Sequence, residues 1–260
     1  MFLDKLCKTN PNLIQIAVHM HQQKQILPDT YVVDVDRFLE NAKAILQKAN
    51  EQNIELYYML KQIGRNPYLA KELEKIGYKG AVVVDFKEAE VMMKNHLHIA
   101  HAGHLVQIPS MMINQLVAYG CDYITVYSYE KLVEVNEAAK KIGLVQKVCV
   151  RVIGENDRIY SGQTAGFYLN QLEELVQKSK DLKYIEIAGV DNFPCFLYDE
   201  VTKEIQAQEN LHTVFKAKKI LEDLGCFIQN VNVPSATCVH TLELMKQYPE
   251  ITSAEPGHGL

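Results

Sequence analysis

Lys61 directly follows the apolar run LYYML and precedes QIGRNP, so it stands where a buried strand gives way to a loop. A primary amine at such a point can be partly desolvated, which frees it to form a Schiff base with a carbonyl. The plainer reading is a solvated lysine at a strand end, because exposed lysines are common. Far along the chain, Glu255-Pro256-Gly257-His258-Gly259 joins a carboxylate to a tight glycine-rich turn, and VNVPSATC places Ser235 and Thr237 just after another apolar run. Glycines let backbone amides approach a phosphate closely, and hydroxyls near them add donors. Taken alone, each segment reads equally well as a turn that ends a strand. Together they offer an amine, an anion cradle and a carboxylate.

These groups need a frame that brings distant segments together. From Glu55 onward, short β-branched or aromatic runs alternate with amphipathic stretches, the pattern of βα units around a parallel sheet. Eight strands are expected, over 55–60, 80–85, 98–102, 123–127, 147–153, 184–190, 226–233 and 251–255. Between them, PYLAKELEKIG, YEKLVEVNEAAKKIG and NLHTVFKAKKILEDLG end on glycine as helix C-termini often do, and FKEAEVMMKN shares their periodicity. Eight such units predict an α/β fold, a (β/α)8 TIM-type barrel, whose chemistry lies at the C-terminal ends of the strands. Ahead of it, a helix over about 12–25 and an extra strand at TYVVDVD, 30–36, form an N-terminal segment, residues 1–36, and the barrel occupies 37–260.

The remaining features narrow the class. With 27 Lys and Arg against 32 Asp and Glu, interspersed, the chain offers no basic footprint for nucleic acid or an anionic membrane. Its six cysteines show no CxxC spacing, and the N-terminus lacks a signal peptide's apolar core, so a reduced cytoplasmic setting is expected. His96, His98, His101 and His104 cluster around the third strand, but His98 and His101 are spaced to face opposite sides, and no thiol or carboxylate is placed beside them. No metal is therefore expected, with His101 or His104 still able to line the pocket. Tyr198 and Asp199 could meet a substrate amine or simply face solvent. The paired methionines at 92 and 111 fit core positions.

The runs YYMLKQIGRNP, GVDNFPCFLYDE, NVPSATC and AEPGHGL occur in the order and rough spacing of the alanine racemase N-terminal-domain family, and the chain most resembles its YhfX-like branch. The resemblance spans nearly the whole chain. It implies a fold-type III enzyme in which Lys61 holds pyridoxal 5'-phosphate as a Schiff base and moves the α-proton, Ser235 and Thr237 with the Gly257 loop bind the phosphate, and Glu255 faces the pyridine nitrogen. A carboxylate there favours the protonated ring and a stronger electron sink. Three positions depart from the racemase pattern. Asn192 replaces a ring-stacking histidine, Gln163 or Thr164 stands in for an arginine near the phenolic oxygen, and Arg65 replaces a phosphate-touching tyrosine.

Two functions follow from the resemblance. One is a pyridoxal-phosphate-dependent amino acid racemase or epimerase, an isomerase of free amino acids. The other is a pyridoxal-phosphate carrier or homeostasis protein without turnover. Family members add a C-terminal β-domain that pairs with the leading strand, builds a homodimer and supplies the second acid/base. That domain is absent from this sequence, so the chain by itself is expected to be weakly active. The substrate side chain is left open.

Overall fold

The structure, a computed structural model, describes residues 2–260, with side chains from Leu3 onward. The chain divides into two units, Met1–Asn41 and Ala42–Leu260.

The first unit carries α1 (Phe2–Thr9), α2 (Pro11–Gln22) and the start of α3 (Val35–Asn50). Asn10 caps α2 by accepting from the Leu13 amide at 3.2 Å, with Pro11 at the first helical position, where its missing N–H costs nothing. The extra strand expected over 30–36 does not form. Residues 30–34 carry no regular structure, and α3 begins at Val35. An extended segment is held by ladder bonds to a neighbour, and among the described residues no strand pairs with this one. Tyr31 stands 95% exposed. Asp34, assigned by its alternation to that strand, caps α3 instead, accepting from the Arg37 amide at 3.1 Å and from Asn10 Nδ2 at 2.6 Å.

The second unit is the predicted barrel. Its parallel strands are β1 (Glu55–Met59), β2 (Gly80–Val83), β3 (Ile99–Ala102), β4 (Cys121–Val126), β5 (Gln146–Ile153), β6 (Ile185–Asp191), β7 (Asn230–Asn232) and β8 (Ser253–Ala254). They run side by side as β4-β3-β2-β1-β8-β7-β6-β5, and pairing of β4 with β5 closes the cylinder. The crossovers are α4 (Pro67–Ile76), α5 (Phe86–Lys94), α6 (Ser110–Tyr119), α7 (Tyr129–Ile142), α8 (Leu172–Ser179), α9 (Glu209–Asp223) and α10 (Val239–Met245). Local chemistry sets their ends: Asn66, Asp85 and Ser128 cap α4, α5 and α7, and Gly77 and Gly143 close α4 and α7 in the left-handed conformation. α9 buries Leu211, Val214, Ala217 and Leu221, one stripe at helical spacing. Among the described residues no helix is long and apolar enough to cross a membrane. The alternation gave no sign of a short antiparallel hairpin, Phe196–Tyr198 with Ile205–Ala207, after β6.

The period of two along each strand stacks the barrel interior in layers. One layer joins Cys149 of β5, Gly189 of β6 and Asn230 of β7, with Ser253 of β8 donating to Asn230 Oδ1. Two residues further along each strand lie Arg151, Asp191, Asn232 and Glu255, the floor of the barrel mouth. Gly189 is where the lower layer is tightest. A Cβ there would overlap the Cys149 sulfur and stand 2.9 Å from the Asn230 carbonyl oxygen. Gly189→Ala should therefore lower stability by about 1–3 kcal/mol through overpacking. Urea denaturation reads this directly, and an unchanged midpoint would show that the layer has room to spare.

Candidate active site

At the C-terminal ends of the strands a cavity of about 320 Å³ opens, and Lys61, Ser235, Thr237, Glu255 and Gly257 all line it. Met59, Leu105 and Phe193 form its apolar wall. Lys61 lies in a single 3-10 turn, Leu60–Ile63, that continues β1; Leu60 is fully buried and anchors the turn, and Gly64 ends it at φ 66°. The lysine itself is exposed, not desolvated as its position after an apolar run suggested.

The loop after β8 packs at Gly257 against side chains of Met59 and Gln62 and at Gly259 against the backbone of the loop after β7. A Cβ at Gly257 would meet the Gln62 amide oxygen at 2.8 Å and Met59 Cβ at 3.1 Å, and one at Gly259 would meet the Thr237 carbonyl oxygen at 2.9 Å. At Gly259, where the neighbour is backbone, only glycine permits that approach. Ser235 and Ala236 both hold positive φ, 100° and 50°, a strained pair costing of order 1–3 kcal/mol each. Such strain persists where the surroundings impose it and often marks a ligand clamp. Beside it the buried Thr237 hydroxyl has no hydrogen-bond partner, although a buried polar atom normally has one.

Glu255 emerges from β8 almost fully buried. Its Oε1 accepts from Asn232 Nδ2 at 2.5 Å and pairs with His101 Nδ1 at 2.8 Å, and Oε2 makes no hydrogen bond but lies 3.7 Å from His104 Nε2. Burial alone would raise its pKa, but His104, His101 and Asn232 around it hold the carboxyl below the usual glutamate range. Asp191 behaves likewise: burial opposes ionisation, and His104, His101 and Arg151 outweigh it. His101 Nε2 lies 2.6 Å from Thr125 Oγ1, and that hydroxyl donates to Asp191 Oδ2 at 2.5 Å. Burial works against a charged His101, yet Glu255 and Asp191 raise it above the ordinary histidine value.

The alternation that was expected to set His98 and His101 on opposite sides is broken by a register shift of β3 between Ile99 and His101: His101 turns into the barrel, and His98, just ahead of the strand, lies over Gly80 and meets Asp122 at 2.7 Å. The carboxylates that the sequence did not place beside His101 come from β6 and β8. His101, His104 and Asp191 each bring one possible ligand atom within 4.8 Å of the others. Thr125 already bridges His101 Nε2 and Asp191 Oδ2, so these atoms are engaged in hydrogen bonds.

Three expected residues are not brought to the cavity wall. Arg65, at φ 55°, turns toward the start of α5 and pairs with Asp85 and Glu88, each at 3.2 Å. The Asn192 amide is committed to Asp157 Oδ2 at 2.5 Å, the Phe193 amide at 2.7 Å and Asn210 at 3.1 Å, and Phe193 next to it lines the cavity. Gln163 sits in the loop after β5 with a buried, unpartnered Oε1, apart from the cavity lining. What the sequence reading missed is Arg151, 1% exposed on β5, with Nη2 donating to the Phe193 carbonyl at 3.3 Å and Nη1 4.0 Å from Asp191. A charge inside the apolar run VCVRVI was the signal for it.

The chain is 44% identical to the uncharacterized protein YhfX of Escherichia coli (strain K12) over 260 residues, all of this chain and 67% of that protein. Its fold superposes with a TM-score of 0.70 on a diaminopimelate decarboxylase from Helicobacter pylori solved with L-lysine, at 15% identity, covering 93% of this chain and 66% of that one. An alanine racemase from Clostridium difficile 630 gives 0.61 at 18% identity, covering 85% of this chain and 55% of its own. The chain thus spans about two thirds or less of the length of these relatives. At such low identity the two solved structures speak for the barrel alone. Residues 33–260 match the alanine racemase N-terminal domain, and the chain belongs to that family.

Proposed function

We propose that this chain binds pyridoxal 5'-phosphate through Lys61 and serves as the barrel of a pyridoxal-phosphate-dependent amino acid racemase or epimerase. The observation that carries this reading is the convergence of Lys61, the strained Ser235–Ala236 turn, the Gly257 loop and the free oxygen of Glu255 on one cavity. The residues suit the group. An unpartnered Thr237 hydroxyl and a glycine cradle fit a phosphate, and an unpartnered, ionised carboxylate oxygen fits a protonated ring nitrogen.

When bound, the cofactor supplies an electron sink for charge developing at an amino acid's Cα. The protein's part is binding, orientation and proton movement. The Ser235 to Thr237 segment and the Gly257 loop would hold the phosphate, and the Glu255 carboxylate would pair with the ring nitrogen. Met59, Leu105 and Phe193 keep water from the face they cover, which strengthens each polar contact inside. Lys61 Nζ would be the point of covalent attachment, and its free amine would be placed to move a proton at a substrate Cα.

The test is proton exchange in deuterium oxide. Loaded protein and single L-amino acids are followed by proton NMR, with chiral chromatography on the products. Loss of the α-proton signal together with a growing D-enantiomer supports the racemase reading. Release of carbon dioxide and an amine replaces it with decarboxylation. Tight cofactor binding without exchange of any amino acid favours a carrier without turnover.

A further inference from the structure

The direction of one hydrogen bond decides the state of several groups beneath the cavity. Thr125 has a single hydroxyl proton, and it is given to Asp191 Oδ2. Its oxygen can then only accept from His101 at 2.6 Å, so Nε2 of the imidazole carries a proton. The other nitrogen, Nδ1, lies 2.8 Å from Glu255 Oε1. An ionised carboxylate accepts and never donates, so a second ring proton on Nδ1 is required wherever Glu255 is ionised. Asn232 Nδ2, 2.5 Å from the same oxygen, stabilises that ionised form. The row Asp191, Thr125, His101, Glu255 is fully buried and links β6, β4, β3 and β8 across the barrel floor.

We propose that His101, backed by Thr125 and Asp191, is a positioning residue: as an imidazolium it keeps Glu255 ionised and occupies its Oε1, leaving Oε2 without a hydrogen bond of its own. The significance for a cofactor's ring nitrogen rests on the reading above; the charge on His101 does not.

Every group hydrogen-bonded to the ring but one favours its charged form; the exception is Asn232 Nδ2, a donor 3.2 Å from Nδ1, which gives its proton to Glu255 Oε1 at 2.5 Å instead. Glu255 of β8 and Asn232 of β7 face Nδ1, and Thr125 of β4 faces Nε2. Asp191 of β6 is 3.7 Å from Nε2. His104, just beyond β3, has its ring centre 5.4 Å away and lies 3.7 Å from both Asp191 Oδ2 and Glu255 Oε2. On β5, Arg151 approaches Asp191, and burial pushes the Cys149 thiol up, so it adds no negative charge. Arg151 and a charged His101 then balance Asp191 and Glu255. A neutral His101 would leave the buried Glu255 carboxylate without the positive partner that its Oε1 faces, which is costly. The opposed directions of the His101 and Glu255 titrations agree with this arrangement.

The experiment is ¹⁵N NMR of histidine-labelled protein from pH 5.5 to 9.5, with the His101 signals assigned by their loss in His101→Gln. Both ring nitrogens of His101 should be protonated at pH 7. Thr125→Val, close in shape but without the hydroxyl, should lower the midpoint by about 1 pH unit or more. Thr125→Ser should restore it, which a merely structural role for residue 125 would not require. An unprotonated ring nitrogen at pH 7 in wild type, or the same midpoint in Thr125→Val, overturns the proposal. So does zinc that shifts the His101 signals at equimolar ratio, because the same atoms would then be metal ligands. A parallel spectrum of protein loaded with ring-¹⁵N-labelled cofactor separates the two readings. Ring protonation that persists in wild type and weakens in Thr125→Val extends the role of His101 to the cofactor. If no bound cofactor signal appears in wild type, the cofactor reading fails and the His101 result stands on its own spectra.

Discussion

Lys61→Ala should abolish the visible absorption that wild-type protein acquires with pyridoxal phosphate and leave borohydride nothing to trap. The expected loss of any turnover is large, roughly 10²–10⁴-fold from the missing proton-transfer group alone, with the covalent link gone besides. The variant is also a clean one. Lys61 is exposed on a turn that Leu60 anchors, so its removal should shift stability by no more than about 0.5 kcal/mol, as surface changes generally do. Lys61→Arg keeps the positive charge but offers no free amine at any accessible pH, and it should fail in the same way. The check is the absorption spectrum before and after reduction, followed by mass mapping of the modified peptide. A band of undiminished size in Lys61→Ala, trapped on another lysine, would move the site elsewhere.

Asp191→Ala should destabilise the barrel by about 3–5 kcal/mol, because removing one partner leaves His101 and Arg151 facing each other in a buried space without their counter-charge. Denaturant midpoints at fixed pH measure this. The pH dependence carries more information than the size. Asp191 and Glu255 titrate below their ordinary values of 3.8 and 4.5, so their stabilising contributions are present above those values and are lost as pH falls through the lowered ones. His101 titrates above 6.5, so its contribution is complete below 6.5 and is lost as pH rises through the raised value. Wild-type stability should therefore plateau between about pH 4.5 and 6.5 and decline on both sides. Asp191→Ala should flatten both limbs, the acid one by losing its own carboxylate and the alkaline one by weakening the field on His101. A difference between the two proteins that is constant with pH would remove the charged cluster from the stability account.

Apart from the missing strand at 30–34, the misjudgements at the site share one cause. Arg65 and Asn192 were placed by the resemblance, through their match to family positions after Lys61 and after the sixth strand, but direction is set by the local backbone. Positive φ at Gly64 and Arg65 turns the guanidinium toward α5, and the Asp157 and Asn210 partners draw the Asn192 amide away from the cavity.

Local patterns in the chain were enough for the eight strands, the helices between them, the strand ends that carry Lys61, Ser235, Thr237 and Glu255, and hence the face on which they meet. Those features depend on the period of two in strands, the wider helical period and capping or turn residues a few positions away, all written within a short window. Closure of the barrel decided the rest. His101 and Glu255 are 154 residues apart and hydrogen-bonded, and Thr125 and Asp191 are separated by 66. No local pattern couples such positions. They meet because eight parallel strands of compatible register curl into a cylinder with a buried interior, where inward-pointing polar side chains find partners on other strands.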